Sequence, residues 1–232
     1  MTNAELNDAW RVITTANIAD ACIRLGASFS IAPTIVRPLF AGARCAGRAL
    51  PVRHFGSVDV FLDAIDVAEA GDILVIDNDN RQDEGCIGDL TVIEAATAGI
   101  AGVVLWGCHR DTEELLSIAL PVFSTGSTPV GPRGVRERTS SGCTFGGFDV
   151  ERNHIVFADA DGVLFVDDAN VRAVIESATS INVTEQRQAE GVRAGVSLRR
   201  QFGWDAYREA RKQKPGTTLR EHLAQRGGAI EV

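Results

Sequence analysis

Residues 88–111 read GDLTVIEAATAGIAGVVLWGCHRD, and this stretch decides the fold. DLTVIEAATAG, residues 89–99, has the pattern of a helix with Asp89 placed to cap its start, and AGVVLWG is a short apolar run suited to a buried parallel strand. A helix of about ten residues advances ~15 Å and a strand of about five returns ~17 Å, so both ends of the unit meet at one edge of the sheet. Asp89, Arg110 and Asp111 are therefore expected to converge at the carboxyl end of the strand, where open α/β sheets bind ligands. The helix start adds free N–H groups suited to an anion. Two carboxylates can hold a hard divalent cation, and one guanidinium can bind a keto or carboxylate oxygen. A plainer account also fits: Asp89 and Asp111 each cap a helix, the second preceding TEELL, and Arg110 pairs with one of them at the surface.

Outward from this unit the pattern repeats. DILVID at 72–77 and PVFSTG at 121–126 read as further short strands, and Val58–Ala70 reads as a helix. Alternating strand and helix signals parallel crossovers, whereas 143–166 looks like antiparallel hairpin material, so the expected body is α/β with a mixed sheet. Spaced apolar residues from Leu6 to Leu25 fit an opening helix or helix pair that stops at Gly26, and GARCAGRALPVR looks like turn and strand. Beyond Asp167 helix formers take over, and residues 199–226 hold eight Arg or Lys against three acids. This divides the chain into an α/β domain, 1–167, and a C-terminal helical extension, 168–232, read as a solvated or subunit-bridging arm. The D-x-D-x-R-x-D run from Asp77 to Asp83 has an arginine at the fifth place and no glycine at the sixth, which argue against a calcium loop, and it reads as a solvated loop.

Composition removes several function classes. The 232 residues are 45% hydrophobic, enough for a real core, and the net charge of −8 offers no global positive field for nucleic acid or anionic lipid. The acidic start MTNAELNDAW lacks the basic and apolar regions of a signal peptide, and no apolar run matches a membrane span, so a cytoplasmic protein is expected. Five scattered cysteines form no C-x-x-C pair and read as buried thiols; the four histidines form no H-x-x-x-H pair, and only His109 stands beside other polar candidates. Lysine occurs only at 212 and 214, which leaves no core amine for a Schiff base or a phosphate loop. Glycine-rich nucleotide motifs and G-x-S-x-G are also absent from the sequence. Carbonyl activation must then come from a metal or from arginine.

Taken in order, IVRPLFAGARCAGRA (35–49), AGDILVID (70–77), the 88–111 stretch, PVFSTGSTPVGP (121–132), FGGF (145–148) and ADADGVLFV (158–166) resemble the RraA-like family. That family includes 4-hydroxy-4-methyl-2-oxoglutarate / 4-carboxy-4-hydroxy-2-oxoadipate aldolases and regulators of ribonuclease E activity. The resemblance covers roughly residues 17–167, and TTLREHLAQRGGAIEV (217–232) looks like the tail of longer members. The spacing of Asp89, twenty residues, then Arg110-Asp111 is that of the aldolase-like members.

The resemblance implies a swivelling β/β/α, phosphohistidine-domain-like fold assembled as a homotrimer or hexamer. It implies a divalent-metal (Mg²⁺ or Mn²⁺) pyruvate aldolase acting on a small 2-keto acid, with oxaloacetate decarboxylase activity. By position Asp111 matches the metal ligand, Asp89 the residue holding metal-bound water, and Arg110 the group on the substrate keto oxygen. Backbone at Gly88 and Leu90 matches the cradle for the substrate carboxylate. A neighbouring subunit is expected to add an acid, with Glu185 and Glu190 the candidates. A non-catalytic, protein-binding regulator is the alternative, since one fold hosts many functions. Two departures stand out: Trp106-Gly107-Cys108-His109 replaces smaller, more apolar residues and bears on which substrate fits, and Glu151-Arg152-Asn153-His154 replaces a Pro-Gly-Asp turn.

Overall fold

The computed structural model describes residues 1–134 and 142–225; the end of the family-like tail, 226–232, lies outside them. The chain opens on the expected helix pair, α1 (Asn3–Trp10) and α2 (Thr15–Leu25), each started by a capping box at Thr2 or Thr14. Gly26 ends α2 in the left-handed region at φ 64°.

Eight strands then make one mixed sheet. From one edge its order is β1 (Phe29–Ile31), β13 (Gly162–Asp167), β12 (His154–Asp159), β3 (Cys45–Arg53), β4 (Ile73–Asp77), β6 (Gly102–Trp106), β8 (Val122–Ser124) and β2 (Arg37–Pro38). The four from β3 to β8 run parallel, and the flanking pairs are antiparallel. Three helices make the crossovers: α3 (Asp59–Asp66), α4 (Asp89–Thr97) and α5 (Thr112–Ile118). The helix expected over Val58–Ala70 is thus shorter at both ends.

Alternation along the strands gives the sheet two apolar faces. On β3, Ala46, Leu50 and Val52 meet the helices, while Cys45 and Ala49 point the other way. One half of the helical face packs under α1, α2 and the start of α6 (Asp168–Arg193); the other half packs under α3, α4 and α5. The opposite face is closed by a hairpin of β10 (Cys143–Phe145) and β11 (Phe148–Val150), where Phe145, Phe148 and Phe165 pack ring to ring. Both stretches of antiparallel material expected in 143–166 are therefore present, as β10–β11 and β12–β13.

Helix α6 starts inside the core rather than outside it: Val171, Val174, Ala178 and Ile181 are buried against α2 and the sheet. Three shorter helices follow, α7 (Leu198–Gln201), α8 (Trp204–Gln213) and α9 (Leu219–Ala224). All five cysteines are buried free thiols, as the sequence implies. Burial pushes Cys22 up to about 11 and Cys45 and Cys143 up to about 12, so these three are inert at neutral pH. No helix among the described residues is long and apolar enough to cross a membrane.

Candidate active site

The parallel strands break at their carboxyl ends and resume as a second, three-stranded sheet. Its members are β5 (Gly85–Ile87), β7 (Cys108–His109) and β9 (Gly126–Ser127), all parallel, in the order β5-β7-β9. Gly107 at φ 153° separates β6 from β7, and Gly126 at φ 152° opens β9 after β8, a backbone that favours glycine. This extension places three chain segments side by side. Arg110 N donates to Ile87 O at 3.0 Å, and Thr128 N donates to His109 O at 2.9 Å. Gly88-Asp89 and Arg110-Asp111 thus emerge together, as the crossover arithmetic requires, and Ser127-Thr128 joins them.

At the first of these ends the structure shifts one detail: Gly88 is the N-cap of α4, and Asp89 is its first helical residue. The Asp89 carboxylate sits in the opening turn, where Leu90 N donates to its Oδ1 at 2.7 Å. It is thus stabilised by the helix start without capping it.

Asp111 occupies the N-cap position of α5, yet its side chain makes no capping hydrogen bond. Its backbone is left-handed, φ 57° and ψ 45°, a conformation that costs a non-glycine residue on the order of 1 kcal/mol or more. Its carboxylate turns away from α5 toward Arg110 and the Gly88-Asp89 segment. Oδ2 accepts from Arg110 Nε at 3.1 Å and from Asp89 N at 3.4 Å. The capping account of Asp111 therefore fails on geometry, although its pairing with Arg110 stands.

Three glycines make room for this arrangement. A Cβ on Gly88 would fall 2.1 Å from Asp111 Oδ2, one on Gly131 2.5 Å from Arg110 Nη1, and one on Gly85 2.9 Å from Arg110 Cβ. Gly85 N also donates to Val130 O at 2.7 Å, which holds the 130–132 segment across the guanidinium. Sequence reading missed Gly85 and Gly131; the signal was a glycine between the valine and proline of PVGP. Gly88→Ala should leave the fold intact, since Gly88 has an extended backbone at φ −143°, but it displaces the Asp111 carboxylate. We expect a fall in turnover of about 100-fold, the scale of a misplacement near 1 Å, with an unchanged melting temperature by circular dichroism.

Arg110 lines two cavities. The larger, about 530 Å³, also meets Asp89, Gly88 and α4; the smaller, about 240 Å³, meets Asp111, Thr112 and Ser127. The side chains of Arg110 and Asp111 are 41% and 30% exposed, open enough for a ligand. Among the described residues no group of three or more His, Cys, Asp or Glu side chains could hold a metal ion. A cation here would rest on one or two carboxylates, completed by water and substrate.

His109 is buried between neighbours: Nδ1 is 2.8 Å from Ser124 Oγ and Nε2 is 3.1 Å from Thr112 Oγ1. Burial holds its imidazole below the ordinary range, so it ties β7 to β8 and α5 as a neutral group. Trp106 packs on Phe145, and Cys108 is buried with Sγ 3.4 Å from Gln82 Oε1. None of the WGCH side chains lines the larger cavity.

The 77–83 run is only partly a solvated loop. Asp77 is buried, pairs with Arg53 and accepts from Asp79 N at 2.9 Å and Thr144 N at 3.1 Å. Asn78 Oδ1 is 2.9 Å from His54 Nδ1, and Arg81 pairs with Asp83 and the buried Glu84. These contacts fix the excursion between β4 and β5. Glu185 and Glu190 lie on α6 and line neither cavity at Arg110; Glu185 accepts from Asn17 Nδ2 at 2.8 Å, and Glu190 is exposed.

A family model for RraA-like proteins, described as Aldolase/RraA, matches residues 15–165. The chain belongs to the RraA-like family. It is 28% identical over 204 residues to protein DlpA of Legionella pneumophila, matching 84% of this chain but only 31% of DlpA, so it spans about a third of that relative. It is also 28% identical over 137 residues to a protein of Hahella chejuensis named "Putative 4-hydroxy-4-methyl-2-oxoglutarate aldolase", with 56% of this chain and 83% of that protein covered. Among solved structures, Streptomyces coelicolor RraAS2, described as an unusual member of the RNase ES inhibitor RraA protein family, aligns with a TM-score of 0.64 and 23% identity. That alignment covers 77% of this chain and 94% of the other, and shows the RraA-like architecture alone.

Proposed function

We propose that this RraA-like chain is a carbon–carbon lyase that releases pyruvate from a small 4-hydroxy-2-keto acid, the class to which 4-hydroxy-4-methyl-2-oxoglutarate belongs, and that decarboxylates oxaloacetate. The observation that carries this reading is Asp111, held in a left-handed conformation with its carboxylate turned from capping toward Arg110 and the start of α4. Strain of this kind gathers where function requires it.

The donor set fits a hard cation. Mg²⁺ or Mn²⁺ keeps several waters and is commonly held by one or two carboxylates plus substrate oxygens, which is what Asp111, with Asp89 nearby, can supply. When bound, such an ion would polarise the keto group as a Lewis acid. The chain's own residues would do the rest. Arg110 faces both cavities and would hold the keto oxygen as negative charge develops on it. The first N–H groups of α4 now donate to the Asp89 and Asp111 carboxylates; a substrate carboxylate would take those places. Cleavage breaks C3–C4 with the electron pair passing to C3, the 4-hydroxyl proton leaves to a base, and C3 is then protonated. Asp89, which lines the cavity beside Arg110, would carry that proton. Oxaloacetate loses CO₂ to reach the same enolate without a base to start it.

Pyruvate release should stop on chelation and return with Mg²⁺ or Mn²⁺, measured over a panel of 4-hydroxy-2-keto acids and oxaloacetate. Full turnover in excess EDTA, with no metal by elemental analysis, overturns the metal-assisted reading. No release from any substrate under any metal favours the regulator reading, for which the Streptomyces neighbour's description speaks; a regulator has no need of the Asp89, Arg110, Asp111 set.

The three layers of helices, sheet and hairpin agree with a swivelling β/β/α, phosphohistidine-domain-like fold, and five free thiols with a cytoplasmic setting. We further propose a homotrimer or a hexamer of two trimers, with Glu185 or Glu190 reaching a neighbour's site. Light scattering at micromolar concentration should show three or six chains, and a fully active monomer would remove the shared site. Truncation after 168 strips buried Val174 and Ala178 from the core, so Glu185→Gln and Glu190→Gln are the cleaner tests of a shared acid.

A further inference from the structure

The C-terminal arm carries a charge that the chemistry at Arg110 does not use. Residues 199–226 hold eight Arg or Lys against three acids, in a chain of net charge −8. Arg199, Arg200 and Arg208 line one cavity of about 500 Å³ where α7 meets α8, together with Ser197, Trp204 and Asp205. None of these residues lines either cavity at Arg110. The corner that presents them is fixed by contacts on three sides. Gln201 Nε2 donates to Gln188 O at 3.0 Å and to Val196 O at 2.9 Å, which ties α7 back to α6. Phe202 and Tyr207 are buried, and His222 Nε2 lies 2.8 Å from Phe202 O, which holds α9 against the same turn.

Charge and ring chemistry decide what this cavity suits. On the arm, Arg211 lies over the Tyr207 ring and Lys212 pairs with Glu209, whereas Arg199, Arg200 and Arg208 form no ion pair among the described residues. Three guanidinium groups around one cavity repel one another, and a small anion of several charges relieves that repulsion. Their planar forks match phosphate oxygens two at a time. Trp204 adds an aromatic surface on which a base can stack, and the Asp205 carboxylate can accept hydrogen bonds from sugar hydroxyls. The volume falls in the range of small-molecule sites, roughly 300–1,000 Å³. A long nucleic-acid strand suits the chain less well, because beyond this local cluster the net charge is negative.

We propose that this cavity binds a nucleoside diphosphate, its phosphates on Arg199, Arg200 and Arg208, its base against Trp204 and its sugar hydroxyls at Asp205. Guanidinium groups here do what backbone N–H groups do in a glycine-rich loop, so the site needs no such motif in the sequence. The proposal does not depend on the lyase reading.

The test is calorimetric titration of the full chain with ADP, adenosine and pyrophosphate as separate probes. One ADP should bind per chain, at least about tenfold more tightly than either of the others, because each carries only part of the recognised chemistry. Arg200→Gln and Arg208→Gln, both at exposed positions, should each weaken ADP at least about tenfold, the scale of a hydrogen bond to a charged group. Arg220→Gln removes the same charge from α9, outside the cavity, and should change ADP affinity by less than about twofold. Trp204→Ala should cancel the advantage of ADP over pyrophosphate. Circular dichroism checks that each variant is folded. No binding of ADP at millimolar concentration overturns the proposal. So does pyrophosphate binding as tightly as ADP, which would leave an anion site with no role for the base. An equal loss in Arg220→Gln would trace the binding to the charge of the arm alone, and a changed assembly size in Arg200→Gln by light scattering would make the arginines a contact between copies; either result overturns it.

Discussion

Asp111→Gly should remove at least about 10³ of kcat/KM, some 4 kcal/mol of transition-state stabilisation, and leave the folded state as stable as before. An ordinary N-cap aspartate contributes about 1 kcal/mol through its capping bond, but Asp111 makes no such bond. Its φ of 57° is one glycine adopts freely, so the substitution relieves backbone strain and offsets glycine's larger entropy in the unfolded chain. The pair it forms with Arg110 is partly exposed and contributes little to stability. Calorimetry and kinetics on the same preparation separate the accounts. A melting temperature within about 3 °C of wild type, together with lost turnover, is the expected result, because 1 kcal/mol moves a chain of this size by roughly 2–4 °C. A clear loss of stability with turnover retained would return Asp111 to a structural role.

How far this site could be read from sequence depended on the kind of information each part carries. The convergence of Asp89, Arg110 and Asp111 follows from helix rise and strand rise alone, and Arg110 N on Ile87 O at 3.0 Å is its structural form. The buried state of the cysteines and the hairpins of 143–166 were legible for the same reason: they follow from local pattern. The second sheet was not, because β7 and β9 are two residues each, too short to leave a period, and arise where Gly107 and Gly126 break longer strands. Asp77 opens, and Glu84 directly follows, the polar run 77–83 that reads as solvated, and their burial goes with Arg53 and Arg81, partners that pattern does not pair. Gly131 takes its meaning from the Arg110 guanidinium twenty-one positions earlier, a relation only packing reveals.

Arg110→Lys should cost kcat/KM at least about 100-fold, comparable to deleting an oxyanion donor, at a stability cost below about 1 kcal/mol. Lysine keeps the charge but not the planar fork, and the surroundings here are shaped to that plane. Asp111 Oδ2 takes Nε at 3.1 Å on one edge, while the backbone of Gly131 approaches Nη1 so closely that a Cβ would lie 2.5 Å away. A lysine ammonium can reach one of these positions at a time, so the geometry that leaves the outer nitrogens toward both cavities is lost. The division of the loss between kcat and KM identifies the contact. If Arg110 holds the keto oxygen as charge develops, kcat falls and KM changes little; if it only holds the ground-state carboxylate, KM rises and kcat survives. Gly131→Ala provides the intermediate case, because it disturbs the same guanidinium while keeping every functional group. It should therefore lower kcat in the same sense as Arg110→Lys and by less. Near wild-type kinetics for both variants would leave Arg110 as no more than the surface partner of Asp111.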